Sequence, residues 1–245
     1  SKAWAMAKLF SGPGRDNMGR GVAVDSAGDY TFTGFFKGSL KFGSATISAK
    51  GEDLYLVRMT PAGTFKWALK AGSSASDRGF RVDTDSANNA WVTGYSRGAS
   101  VFGKLSLPAA GNSRYPFIAR ATAAGVWDIA KAPAAVTYDA RADVVVDSSN
   151  NAWFTGQFAQ TATFGSTTLT SAGSWDAFVA RVTPAGVIDR AYRGGGIGVD
   201  FPYGIAVDPK GDVWSAGTFK ATATFGTTKL ASTSQEDVYV WRIKP

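Results

Sequence analysis

Four near-copies of one ten-residue stretch recur along this chain at almost even spacing, and no other feature constrains the fold as much. They are D-S-A-G-D-Y-T-F-T-G (Asp25 to Gly34), D-S-A-N-N-A-W-V-T-G (Asp85 to Gly94), D-S-S-N-N-A-W-F-T-G (Asp147 to Gly156) and D-P-K-G-D-V-W-S-A-G (Asp208 to Gly217). The leading aspartates are separated by 60, 62 and 61 residues. A Phe-Gly pair keeps the same phase at Phe42-Gly43, Phe102-Gly103, Phe164-Gly165 and Phe225-Gly226, and so does a run ending in Arg58, Arg120, Arg181 and Arg242. Three markers in one phase define a structural repeat of about 61 residues. Such a unit buries its apolar face against its neighbours rather than alone.

Within a repeat the apolar residues alternate with period two, the pattern of strands. In the third repeat this places strands at 143–147, 152–158, 176–182 and 187–193. An Asx-type turn falls at Asn150 and Asn151, a Gly/Ser/Thr-rich connection runs through Phe164-Gly165, and a T-P-A-G turn spans Thr183 to Gly186. Asp, Asn and Gly suit the first turn because they tolerate left-handed backbone angles. Four antiparallel strands per repeat make the expected blade of a β-propeller. The N-terminal A-W-A-M-A-K-L-F (Ala3 to Phe10) matches K-W-A-L-K-A-G (Lys66 to Gly72), a fourth strand, whereas the chain stops at Pro245 just after a third strand. The expectation is one all-β domain over 1–245, a four-bladed propeller. Its blades fall at about 20–72, 80–132, 142–194 and 203–245, the last completed by 2–10 to close the ring.

Composition bounds the chemistry. Cysteine and histidine are both absent from the 245 residues, which removes disulfides, thiolate ligands, the commonest general base and the commonest metal ligand together. An enzyme built on this chain would use Asp, Tyr, Lys, Arg or Ser. No nucleophile elbow, phosphate loop or dinucleotide fingerprint stands in a strand-to-helix context, so no cofactor is expected. The net charge of +7 invites an anionic partner, but the basic residues are dispersed along the sequence. That dispersal argues against a nucleic-acid footprint. No apolar run reaches the roughly 18 to 20 residues of a membrane helix, and the sequence contains no charged-then-apolar signal segment.

The segments G-V-A-V-D-S-A-G-D-Y-T-F-T-G, F-G-S-T-T-L-T-S-A-G-S-W-D-A-F-V-A-R and W-A-x-x-x-G resemble the bacterial β-propeller repeat called SBBP, similar in style to the NHL repeat. The resemblance covers essentially the whole chain. It implies a propeller and a secreted, cell-surface or periplasmic protein, and it is nearly silent on function. Arrays of this kind often carry more than four blades, so both a monomer and a homodimer are compatible with it.

The repeated tryptophans Trp91, Trp153 and Trp214 read as wedges between blades, and the repeated Asp residues as turn chemistry. Asp83 and Asp85 form the densest acidic pair and are the weak candidates for a metal site; no closing acid accompanies them. Asn17, Asp77, Asp139 and Asp200 lie eight residues before each marker, either capping a loop or ringing a channel mouth. Departures from the repeat are more informative, since packing alone favours the shared residue. Where repeats one and four carry Gly21-Val22-Ala23-Val24 and Gly204-Ile205-Ala206-Val207, repeat two has Arg81-Val82-Asp83-Thr84 and repeat three begins with Asp143. Charges on an inner strand need a partner or channel water. The candidate binding set is therefore Arg81, Asp83, Tyr115, Tyr138, Asp139, Arg141 and Asp143, with Asp77 and Asp200. The expected function is a non-catalytic, lectin-like binding module for a glycan or anionic polymer. The alternatives are a lyase or hydrolase using Tyr115 or Tyr138 with Asp83 or Asp143 and Arg81, and a structural or assembly protein.

Overall fold

The computed structural model describes residues 7–10, 12, 16–109, 113–136 and 142–245. The chain is all-β, 64% strand, with no helix among the described residues. Repeat one contains β1 (Met18–Val24), β2 (Tyr30–Phe42), β3 (Ala45–Met59) and β4 (Phe65–Gly72). Repeat two contains β5 (Arg78–Thr84), β6 (Ala90–Ser96), the short β7 (Val101–Phe102) and β8 (Leu105–Ser106), β9 (Tyr115–Ala121), β10 (Trp127–Lys131) and β11 (Ala134–Val136). Repeat three contains β12 (Asp143–Val146), β13 (Ala152–Phe164), β14 (Thr167–Thr170), β15 (Asp176–Val182) and β16 (Ile188–Gly196). Repeat four contains β17 (Phe201–Val207), β18 (Val213–Phe219), β19 (Thr222–Phe225), β20 (Thr228–Ala231) and β21 (Asp237–Ile243).

Every repeat runs the same antiparallel meander: β1-β2-β3-β4, β5-β6-β9-β10, β12-β13-β15-β16, and three strands of it in β17-β18-β21. The turn after each inner strand is built by its marker residue. Asp147 Oδ1 accepts the amides of Ser149 and Asn151, both at 2.9 Å. The position before that last amide has positive φ in all four repeats (Gly28 81°, Asn88 61°, Asn150 64°, Gly211 85°), which is why only Gly or Asn stands there.

The Phe-Gly segments are strands rather than the expected connections. Each is a tight hairpin whose glycine has φ of 62°, 61°, 60° and 62° in the four repeats. Two of the hairpins extend the preceding repeat's sheet, Phe102 pairing with Ala71 and Phe225 with Gly194, while Thr163 of the third pairs with Ala134 of β11, which is not joined to the β5-β6-β9-β10 sheet. Ser and Thr on the solvent side of these short strands hide the alternation in the sequence.

Three core clusters lie in the seams between repeats, and a fourth, with Phe36, Phe42, Tyr55 and Val57, lies within repeat one. Leu54 and Leu56 of repeat one share a cluster with Val82, Val92 and Phe117 of repeat two. Trp91 and Ile118 of repeat two pack with Val144, Phe154 and Phe178 of repeat three. Trp153, Ala177 and Val179 of repeat three pack with Val213, Tyr239 and Trp241 of repeat four. The inner strands follow in order, β1 against β5, β5 against β12 and β12 against β17, with no comparable packing of β17 on β1 among the described residues. Ring closure by the N-terminal strand is thus not shown. Residues 2–6 of that expected strand lie outside the described residues, and 7–10 are not in a strand.

The hairpin glycines separate two costs. A Cβ on Gly165 would lie 2.1 Å from the Ile188 carbonyl oxygen, whereas on Gly226 the nearest atom is 3.8 Å away. Both positions carry the left-handed strain of about 1–3 kcal/mol. Gly165→Ala is therefore expected to lower the denaturation midpoint clearly more than Gly226→Ala, as measured by chemical unfolding of the two variants side by side.

Candidate functional site

The inner strands of successive repeats do not pair as a sheet, so their facing amides and carbonyls need side-chain partners. Asp83 on β5 accepts the Val146 amide of β12 at 2.7 Å through Oδ2 and its neighbour's amide, Thr84, at 2.8 Å through Oδ1. Asp143 on β12 repeats the device one seam later, accepting the Ile205 amide of β17 at 3.1 Å and the Val144 amide at 2.9 Å. Arg81 bridges in the other direction, donating from Nη1 to the Arg20 carbonyl of β1 at 2.8 Å. Arg81 Nε also stands 3.8 Å from Asp143 Oδ1. The charges that break the repeat thus join three seams along the inner wall.

Burial raises the pKa of both carboxylates; the amide donors, and for Asp143 also Arg81, work against that rise. Arg81 is different, with a side chain 48% exposed. Both carboxylates are committed to backbone amides, while the Arg81 side chain stays half exposed with its Nη1 on the Arg20 and Phe80 carbonyls.

Beside Arg81 lies a stack that spacing did not reveal. The Arg20 guanidinium sits over Phe35 and Phe80, 5.7 and 5.6 Å from the ring centres. Arg78 lies over Phe35 at 4.2 Å and Tyr95 at 5.7 Å, and Arg114 over Tyr95 at 4.7 Å. Glu52 pairs with Arg78 through both carboxylate oxygens. Burial opposes ionisation of Glu52, but Arg78, Ser76 and Lys37 prevail and hold its pKa below the ordinary value. The partners come from two repeats, and Phe80 occupies the place in its repeat that Arg20 holds in the first. A search for shared positions passes over such a pairing.

The loop acids are interior. Asp77 is fully buried and accepts the Ser73 amide at 2.7 Å, the Ser73 hydroxyl at 2.8 Å, the Ser100 hydroxyl at 2.6 Å and the Arg97 amide at 3.1 Å. Asp200, also fully buried, accepts the Gly196 amide at 2.7 Å. Burial and the nearby Asp176 push the Asp200 pKa up to about 6. Asn17 is exposed and accepts the Lys37 amide at 3.4 Å.

Tyr115 donates to the Gly98 carbonyl at 2.6 Å and is buried, which raises its pKa. It pairs with Ser96 at one end of β6, whereas Asp83 pairs with Trp91 at the other. At ~3.4 Å per residue that is roughly 17 Å along the strand. Tyr115 is therefore not brought together with Asp83. Tyr138, Asp139 and Arg141 lie outside the described residues.

The recurrent Asp and Trp form one structural unit. Asp85, Asp147 and Asp208 accept the indole N–H of Trp91, Trp153 and Trp214 at 3.4, 3.0 and 3.2 Å. Arg120, Arg181 and Arg242 lie over those rings at 5.1, 5.4 and 5.4 Å. In repeat one Thr31 replaces the tryptophan, and the buried Arg58 donates to its hydroxyl at 2.9 Å while standing 3.6 Å from Asp25. Asp85 also accepts the Ala87 and Asn89 amides, and among the described residues no three acidic side chains converge on a metal position. No described helix is long and apolar enough to cross a membrane, which leaves strand-built spans unaddressed.

No protein-family model matches the chain, and a search of curated proteins finds no similar sequence.

The carboxylates on the inner wall and in the loops differ in what their loss should do. Asp83→Ala leaves the Val146 amide without its acceptor and is expected to cost about 1–3 kcal/mol in thermal or chemical unfolding. Asp200 in the folded chain keeps its proton up to about pH 6, whereas an unperturbed aspartate releases it near 3.8. Its favourable contribution is therefore full below the lower value and is lost as pH rises through the upper one. Asp200→Asn removes that slope, so the wild-type-minus-variant stability difference is expected to fall between those two pH values.

Proposed function

We propose that each repeat is a blade of an SBBP-type β-propeller, four to this chain, and that the chain is a non-catalytic binding module for an anionic glycan or polymer, acting in a secreted or surface setting. The observation that carries this reading is the Arg20–Phe35–Arg78–Tyr95–Arg114 stack beside the exposed Arg81. Guanidinium planes backed by aromatic rings have few orientations to lose on binding. The Arg78 fork is held by Glu52, and it is Arg20 and Arg81 that are offered to carboxylate and sulfate oxygens. The net charge of +7 adds a long-range attraction for the same class of partner. The absence of histidine and cysteine from the sequence favours recognition over acid–base or nucleophilic chemistry.

An array of sulfated and carboxylated glycans tests the reading. Binding is expected to weaken with salt, as exposed charge pairs do. Arg20→Ala combined with Arg81→Ala is expected to reduce it at least about tenfold, the scale of 1.4 kcal/mol. A folded wild-type chain that binds no acidic glycan, or a double variant that binds as well as wild type, contradicts it.

A further inference from the structure

The two ends of the repeat array are unsatisfied in complementary ways. Each repeat has a trailing face, formed by alternate residues of its third strand, and a leading face that receives the trailing face before it. Leu54 and Leu56, Ile118, and Ala177 and Val179 are the trailing residues of repeats one to three, and all are completely buried in the next repeat. Val238 and Val240 occupy the same places in repeat four and are 73% and 66% exposed. Ala206 and Ala216 on the same face are exposed too, and Trp214 is only half-buried where Trp91 and Trp153 are enclosed.

The leading face of repeat one is open along its first strand, while Phe42, Tyr55 and Val57 on it are buried within the repeat. Val22 is 67% exposed, whereas its counterparts Val82 and Val144 are 7% and 6%. A groove of about 270 Å³ runs there, lined by Lys8, Phe10, Val22, Tyr30, Phe32 and Met59. Phe10 stacks on Phe32 at 5.4 Å, and the edge of β21 away from β18 has no strand partner among the described residues.

We infer that this chain assembles head to tail with a second copy of itself, the Val238/Val240 face of each copy seated on the Val22/Phe32 face of the other. The seam so formed is the one the chain already makes three times between its own repeats, with a valine pair in place of Leu54 and Leu56. Two arcs joined at both ends give an eight-repeat ring with two-fold symmetry, in which no trailing face is left in water. Head-to-tail contacts either close in this way or grow without limit. The inference is independent of any glycan.

Light scattering coupled to size-exclusion chromatography, over a tenfold concentration range, reads the outcome directly. The expected mass is twice 25.7 kDa. Val238→Asp with Val240→Asp is expected to return the single-chain mass while circular dichroism stays that of the wild type, since both side chains are exposed within one chain. Val22→Asp, on the opposite face, is expected to do the same. A wild-type mass of one chain, a mass that climbs beyond two with concentration, or a dimer that survives both variants overturns the inference.

Discussion

The structure depends on the seam between repeats. One meander has an apolar surface on both faces of its sheet, and the face formed by its third strand's alternate residues, such as Leu54 and Leu56, is buried only by the next repeat. Leu54 and Leu56 are enclosed only because Val82, Val92 and Phe117 of the next repeat lie against them. At about 1.5–3 kcal/mol for a fully buried Leu or Phe, a seam of several such residues outweighs any single turn or ion pair. The Phe-Gly hairpin adds backbone pairing to the same junction. At two junctions it crosses from one repeat to the outer strand of the one before, and at the third to the short β11 that follows that strand, so side-chain packing and hydrogen bonding tie the same neighbours.

The polar groups are arranged around that requirement. Trp91 and Trp153 fill the seams, but each indole N–H must still be met, and the marker aspartate that builds the turn meets it. The arginine over the ring covers the remaining face and keeps its charge near the carboxylate. Repeat one, where the tryptophan is missing, solves the same problem differently: Arg58 turns inward to Thr31, and burial lowers its pKa against the opposing pull of Asp25. At the inner wall, where the meanders do not pair, Asp83 and Asp143 play the role that backbone carbonyls play within a sheet.

The repeat, its strands and its turns were legible because each rests on local chemistry. The strand expected at 176–182 is β15, Asp176–Val182. The left-handed turn position shows itself as Gly or Asn, and the marker Asp as its acceptor. The features that escaped the sequence depend on neighbours. Val238 reads like Leu54 in sequence, yet one is in water and the other enclosed, because exposure belongs to the adjoining repeat. Asp83 and Asp143 stood out as departures, but a sequence does not show which amide lacks an acceptor. Nor does it show that Tyr115 stands at the far end of β6 from Asp83, or that Arg20 and Arg78 share the ring of Phe35.

A double-mutant cycle on Leu56→Ala and Val82→Ala tests the primacy of the seam most directly. The two residues belong to different repeats and share one buried cluster. Residues coupled in this way are expected to show an interaction energy of about 0.5–3 kcal/mol in equilibrium unfolding. Strict additivity of the two losses would mean that the repeats fold as separate units, contradicting the account.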